Sequence, residues 1–249
     1  MLRSLFPLLP VLLIAGCAPS APDRAGETGA AVPPSETRSA ESLAKIAMMA
    51  NFACPEERHA ETSARLRAIH EADQADRMTD TIDCGAVSVR DRERRAEVGA
   101  IFAEGCLKTG QDFHDAALVY QHGNVPEHYR QTVLWAQEAV ARGDETALWL
   151  IPRGIDRYLM SVGYKQLFGT NTQGPAYDMD GNVMGTLTGF CLPQTVGEDF
   201  DPVRVRFDEP TLAEVRAKLA ERNADTGGDA PDCEEALATA PKGMFAGIW

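Results

Sequence analysis

The sequence contains no Gly-x-Ser-x-Gly elbow, no glycine-rich phosphate loop and no His-Glu-x-x-His pair. The usual hydrolase, nucleotide-binding and metalloprotease signatures are therefore missing. It has no Cys-x-x-Cys either, so a structural zinc site lacks its normal spacing. No metal-ligand set and no cofactor motif takes their place. Positive charge is scarce: 24 Lys+Arg stand against 37 Asp+Glu, a formal net charge of −13. A chain this acidic repels nucleic acid and anionic headgroups as a whole, which excludes nucleic acid as a partner. Long apolar runs are also wanting. One exists, at the very start, and nothing later is long enough to cross a bilayer.

That run settles the expected compartment. Arg3 precedes "LFPLLPVLLIAG", roughly ten apolar residues where a spanning helix needs about 20. It has the length of a secretory signal, over residues 1–16. The residues Leu13-Ile14-Ala15-Gly16-Cys17 resemble a bacterial lipobox. The resemblance implies cleavage before Cys17, diacylglycerol on its sulfur and an acyl chain such as palmitate on its amine. It also implies a lipid-anchored protein of the cell membrane. Ala18 stands where an inner-membrane lipoprotein often carries Asp, which points to the outer membrane, facing the periplasm. Cleavage removes Arg3 and leaves 23 Lys+Arg against 37 Asp+Glu, or −14. From Cys17 to residue 40 the chain is Pro-, Ala-, Gly- and Ser-rich, with almost nothing to bury, and reads as a disordered tether.

Five further cysteines follow: Cys54, Cys84, Cys106, Cys191 and Cys233. Export permits disulfides, the odd count leaves one thiol over, and one or two bridges are expected with no pairing selected.

Residues 41–222 read as a single, mainly helical domain, and 223–249 as a C-terminal tail. Helices are expected over "SLAKIAMMANFA" (42–53), from Pro55 with Leu66 and Ile69 inward, and from Arg90 with Val98, Ile101 and Phe102 inward. "TDTIDCGAVSV" reads as a loop. Asp112 is the expected cap of the next helix, which Gly123 ends. Pro126 opens another, with Tyr129, Val133, Ala136 and Val140 as its buried stripe. Asp144 then caps a helix containing Pro152 and Gly154, and the proline predicts a kink that re-aims the chain from Asp156 onward. An Asp-Gly turn signal among Thr, Val and Phe predicts a small β-hairpin near 174–192. "EPTLAEVRAKLAERN" is a final amphipathic helix.

Two resemblances carry further. Residues 116–150 resemble one Sel1-type helical pair, with a Tyr120-Gln121-His122-Gly123 turn and a second helix closing at Ala141-Arg142-Gly143-Asp144. No second copy recurs at a fixed period, so an extended array is not expected. Over roughly residues 66–222, the blocks "EADQADR" (71–77), "QHG" (121–123) and "DRYLMSVGYKQLFGTN" (156–171) resemble, in order, an uncharacterised bacterial family, domain of unknown function 6624. That family supplies no activity. Its usual Gly-Thr-Gln ending is Gly169-Thr170-Asn171 here.

These blocks supply the candidate site residues. Asp73, Gln74 and Arg77 form a polar helical face or an ordinary i,i+4 pair. His122, after Gln121, is either a helix-end cap or a general base. His114 and His128 flank it, making a three-histidine metal site conceivable. Asp156 and Arg157, adjacent on a helix, diverge by about 100°. Gln166, Thr170 and Asn171 offer an amide, a hydroxyl and turn N–H groups that suit an oxyanion or a backbone segment. "DMDGN" (178–182) resembles a calcium loop but places its Gly two positions early and lacks the closing Glu. Two functions follow from this: a helical domain binding an envelope protein or small molecule, or a hydrolase using His122, Asp156, Arg157 and Gln166.

Overall fold

The computed structural model describes residues 54–78, 82–174 and 189–227, together with 176–177, 183–184 and 233. The expectations for the signal, Cys17, the tether and the helix at 42–53, and most of those for the tail, lie outside these. The described chain is mainly helical. Its helices are α1 (Glu56–Ala75), α2 (Cys84–Ala103), α3 (Gly110–Gln121), α4 (Pro126–Ala141), α5 (Leu150–Ser161), α6 (Asp201–Arg206) and α7 (Leu212–Thr226). None is long and apolar enough to cross a membrane.

Helices α1 and α2 start where local chemistry places them. Pro55 is the residue before α1, and Asp83 caps α2 by accepting from Ala86 N–H at 3.0 Å. α2 therefore begins inside the stretch expected to be a loop. Its Phe102 is about half exposed (48%) rather than inward, its ring edge against Trp135 at 5.2 Å. The cap of α3 is Thr109, not Asp112: the hydroxyl accepts from Asp112 N–H while the Asp112 carboxylate returns a bond to Thr109 N–H. That reciprocal box satisfies two orphan donors at once.

Gly123 is demanded by crowding. A β-carbon there would sit 2.2 Å from the Cβ of His128. Gly143 instead takes φ +92, the left-handed turn after α4. Pro152 does not kink its helix. Asp144 caps a separate 3-10 turn, Glu145–Ala147, and α5 starts afresh at Leu150, so the proline falls in the first turn. An N–H there has no intrahelical acceptor to lose. The redirection comes before the helix, not at Asp156.

α3, α4 and α5 pack as successive neighbours, with α1 and α2 against α3. Leu66, Ile69, Val98, Ile101, Phe113, Ala116, Ala117, Trp135, Ala136, Ala139, Leu150 and Ile151 make one continuous buried cluster. Each large aliphatic there contributes about 1.5–3 kcal/mol by leaving water. A disulfide, Cys54–Cys106, clips the start of α1 to the loop after α2; a second joins Cys191 to Cys233.

The hairpin insert expected over 174–192 is not supported. Among the described residues of that stretch, Ala176–Tyr177 face Val183–Met184 over two residues, with a lone bridge between Gln173 and Cys191. α7 carries a full capping box from Thr211 and Glu214 and runs to Thr226, four residues into the expected tail. α6 had no counterpart in the sequence reading. Its buried Arg204 donates to Val196 O at 2.7 Å, Gly197 O at 3.0 Å and Asp201 Oδ1 at 2.7 Å, fixing the loop before it.

Candidate functional site

The sequence-predicted residues separate into two networks. The first is built at the C-terminal ends of α1 and α3. Asp73, fully buried, accepts from His122 Nδ1 at 2.9 Å, from Arg77 Nη1 at 3.0 Å and from Gln74 Nε2 at 2.9 Å. Arg77 also donates to Asp73 O and, at 2.6 Å, to Asp91 on α2. Arg94 and Arg90 close the outer side against Asp76 and Asp91.

His122 is the C-cap residue of α3, but its imidazole does not bond the last carbonyls. Its own carbonyl accepts from Arg95 Nη1, and Tyr129 Oη donates to Gly123 O at 2.7 Å. Those two side chains hold the helix end, which frees the imidazole to turn onto Asp73. Its Nε2 has no hydrogen-bond partner among the described residues. Gln121 is buried at the same helix end, with no side-chain hydrogen bond among the described residues.

The electrostatics follow from burial. Enclosure pushes the His122 pKa down, helped by the charges of Arg77 and Arg157 and opposed by Asp73. The ring is therefore neutral, with its proton on Nδ1. For Asp73 burial pulls upward, but His122 and Arg77 outweigh it and hold the carboxyl below its usual range.

The second network starts from Asp156, also fully buried. Oδ1 accepts from Leu167 N–H at 2.6 Å and Phe168 N–H at 2.9 Å; Oδ2 accepts from Thr170 N–H at 2.9 Å and Thr170 Oγ1 at 2.8 Å. Burial pushes its pKa up against the pull of these four donors. Gln166 Nε2 donates to Asn171 O at 3.0 Å and Pro193 O at 3.2 Å, and its Oε1 accepts from Asn171 N–H at 3.0 Å. Asp156, Gln166, Thr170 and Asn171 thus bind one another and the loop at 193–196. They form an internal tie, not an open cleft. His122 does not join them.

Arg157 belongs to neither network. Its Nε is buried without a hydrogen-bond partner. No hydrogen bond or ion pair holds the rest of its guanidinium among the described residues.

Three more His–Asp pairs line α1 and α3, unforeseen from sequence. They are His59 with Asp112 (2.8 Å), His70 with Asp115, and His114 with Asp144 (2.9 Å). The spacing of His59 and His70 on α1 was a usable signal only once their partners on α3 were known. His128 accepts from Asn124 N–H at 3.3 Å. The three-histidine metal site is therefore not assembled: His114, His122 and His128 have separate partners, and no group of three or more His, Cys, Asp or Glu among the described residues could hold a metal ion. Asp91, Arg94 and Arg95 were also missed. Their "RDRERR" run was legible only as a charged surface.

One pH prediction arises here. Burial, with Arg95 beside it, lowers the His128 pKa to about 4, and His122 is lowered too. The fold disfavours both charged rings. Above pH ~6.5, the unfolded histidine value, both states are neutral and stability is complete. As pH falls below it, the unfolded chain binds protons first and stability is lost, for His128 down to about pH 4. Asp112, held at about 2 despite burial by His59, Ser63 and two backbone N–H groups, extends the loss to lower pH. Urea midpoints should therefore hold above pH ~6.5 and drop from there to about pH 4.5. A midpoint that rises over that range contradicts the assignment.

Compared with known proteins, the chain matches no family model, no curated protein and no solved structure.

Proposed function

We propose that this chain is a lipid-anchored protein of the outer membrane, facing the periplasm, whose helical domain binds a small molecule or an envelope component. The anchor rests on the lipobox-like Leu13–Cys17 stretch, and the family resemblance to domain of unknown function 6624 on the three ordered blocks. The observation that carries binding over catalysis is the separation of His122 from Asp156. The two groups expected to act together serve different networks, and Thr170, the nearest hydroxyl in kind, is engaged by Asp156. The hydroxyls that do meet a base, Thr146 at His114 and Ser63 at Asp112, lie outside both networks.

A hydrolase is the second reading, and one observation favours it. A carboxylate fixes Nδ1–H of His122 while Nε2 is left unpartnered, the arrangement a general base uses to take a proton from water.

Two arms test the proposal together. The Cys17→Ser chain should lose lipid labelling and leave the membrane fraction; if it sediments with membranes as wild type does, the anchor is wrong. A thermal-shift screen of the full chain against envelope metabolites should find a compound that raises the midpoint, since about 2.7 kcal/mol is gained at 100 times Kd. Turnover of a screened compound would transfer the argument to the second reading.

A further inference from the structure

We propose that Arg157 and the Nε2 of His122 form a binding site for a phosphate-type oxyanion, where the ends of α1, α3, α4 and α5 meet. The proposal rests on the binding reading above and names the chemistry of its ligand.

Arg157 is the anomaly. The neighbouring arginines are all held: Arg77 by Asp73 and Asp91, Arg90 and Arg94 by Asp76, Arg95 by the His122 carbonyl. Arg157, unlike these four, has no hydrogen bond or ion pair among the described residues, and its Nε is sealed from solvent. Charges of its own sign, on Arg77 and Arg153, act on it, with Tyr129 and Asp156 opposing them. Asp156 cannot serve as its counter-ion at close range, because both carboxylate oxygens are turned to the 167–170 loop. An uncompensated cation in such surroundings is costly to the empty fold. An arriving anion removes that cost.

The backbone fixes the face from which the Arg157 side chain starts. At Gly154 a β-carbon would come within 2.8 Å of Val133 Cγ2 and 3.3 Å of the Tyr129 carbonyl, so this face of α5 is pressed onto α4. Arg157 is three residues further on, near the same face. Tyr129 reaches from α4 to the carbonyl of Gly123, next to His122. The field of Arg157 is accordingly felt at His122. The net charge of the chain is −13, yet this end gathers Arg77, Arg90, Arg94, Arg95 and Arg157.

The two groups differ in what they offer. A guanidinium presents a planar fork of donors that matches two oxygens of a phosphate or carboxylate. The neutral His122, its proton committed to Asp73, offers only a lone pair at Nε2. It needs a donor. Hydrogen phosphate supplies both halves, two oxygens for the fork and a P–OH for the imidazole, whereas an ionised carboxylate has no hydrogen to give. Free phosphate and a phosphorylated envelope component share this chemistry.

Calorimetric titration of the full chain in detergent, at constant ionic strength, tests it with inorganic phosphate, glycerol phosphate and acetate as probes. Wild type should bind phosphate and discriminate against acetate; glycerol phosphate binding as well would point to phosphorylated components, and phosphate alone to the free ion. Arg157→Met should weaken phosphate binding at least about tenfold, the loss of a bidentate charge-assisted pair. Arg157→Lys, keeping the charge without the fork, should fall between. The ligand-free Arg157→Met protein should be no less stable than wild type, an outcome a structural arginine would not give. The proposal is overturned if wild type binds none of the probes, if acetate binds as well as phosphate, if Arg157→Met binds normally, or if that variant is markedly destabilised without ligand. A compound from the thermal-shift screen whose binding ignores Arg157→Met would leave the binding domain standing and remove this site from it.

Discussion

Asp156→Ala should destabilise the fold by about 3–5 kcal/mol in urea unfolding, while Arg157→Ala, its neighbour in sequence, should lie within about 1 kcal/mol of wild type. The contrast follows from the 100° between adjacent helical positions. Asp156 turns into the protein and gathers three backbone N–H groups and one hydroxyl from residues 167–170. Truncation leaves the three N–H groups in a largely buried turn, each costing about 1–3 kcal/mol when unmet, less whatever water can enter. Gly169, at φ +78, shows that this turn has a committed backbone shape and cannot simply relax onto other acceptors. Asp156→Asn should recover part of the loss at best, because its amide nitrogen points a donor at donors. Removing Arg157 breaks no hydrogen bond or ion pair among the described residues. If both alanine variants are nearly neutral, the 167–170 turn holds itself and the role given to Asp156 is wrong.

How much of this was legible before the structure depended on the range of the interaction. Pro55, Pro126 and Gly143 act within a few residues, and the helix ends they mark lie close to where the sequence places them. The divergence of Asp156 and Arg157 was readable for the same reason, since helix geometry alone requires it. Pro152 misled because proline has two meanings, a kink in a helix interior and a harmless start in its first turn. Only the position of the break before Leu150 tells them apart. Phe102 misled because period alone does not set how wide the buried stripe is. The partners of the site were hidden for a different reason. Asp73 meets His122 across 49 residues, and His70 meets Asp115 across 45. Four His–Asp pairs therefore had no local signature. The isolation of Arg157 was least legible of all, because a missing partner can be seen only when every candidate has been placed.

Asp73→Ala should cost about 3–5 kcal/mol, the range for removing one member of a buried charged set, whereas Asp76→Ala, three residues away, should cost about 1 kcal/mol or less. Both aspartates engage arginines, so their number of ion pairs does not separate them. Surroundings do. Asp76 keeps contact with water at 19% side-chain exposure, and its partner Arg90 is 42% exposed, so both can be rehydrated after truncation. Asp73 and Arg77 are 0% and 2% exposed. Without Asp73, the Arg77 guanidinium keeps Asp91 at 2.6 Å and the Asp73 carbonyl at 2.9 Å, but its Nε is already unmet and the imidazole N–H of His122 loses its only acceptor. The pair should then be strongly coupled. Arg77→Met alone takes the guanidinium from both Asp73, which keeps His122 and Gln74, and Asp91, which keeps Arg94. Combined with Asp73→Ala it takes it only from Asp91, so the double variant should be less destabilised than the two losses added, by more than about 1 kcal/mol. Asp73→Ala with Asp76→Ala, by contrast, should be closer to additive, because these two share only the outlying Arg94. Additive losses for Asp73 and Arg77 would mean that the buried set does not act as a unit. The neutral tautomer assigned to His122 would then have lost its anchor, and with it the lone pair offered at Nε2.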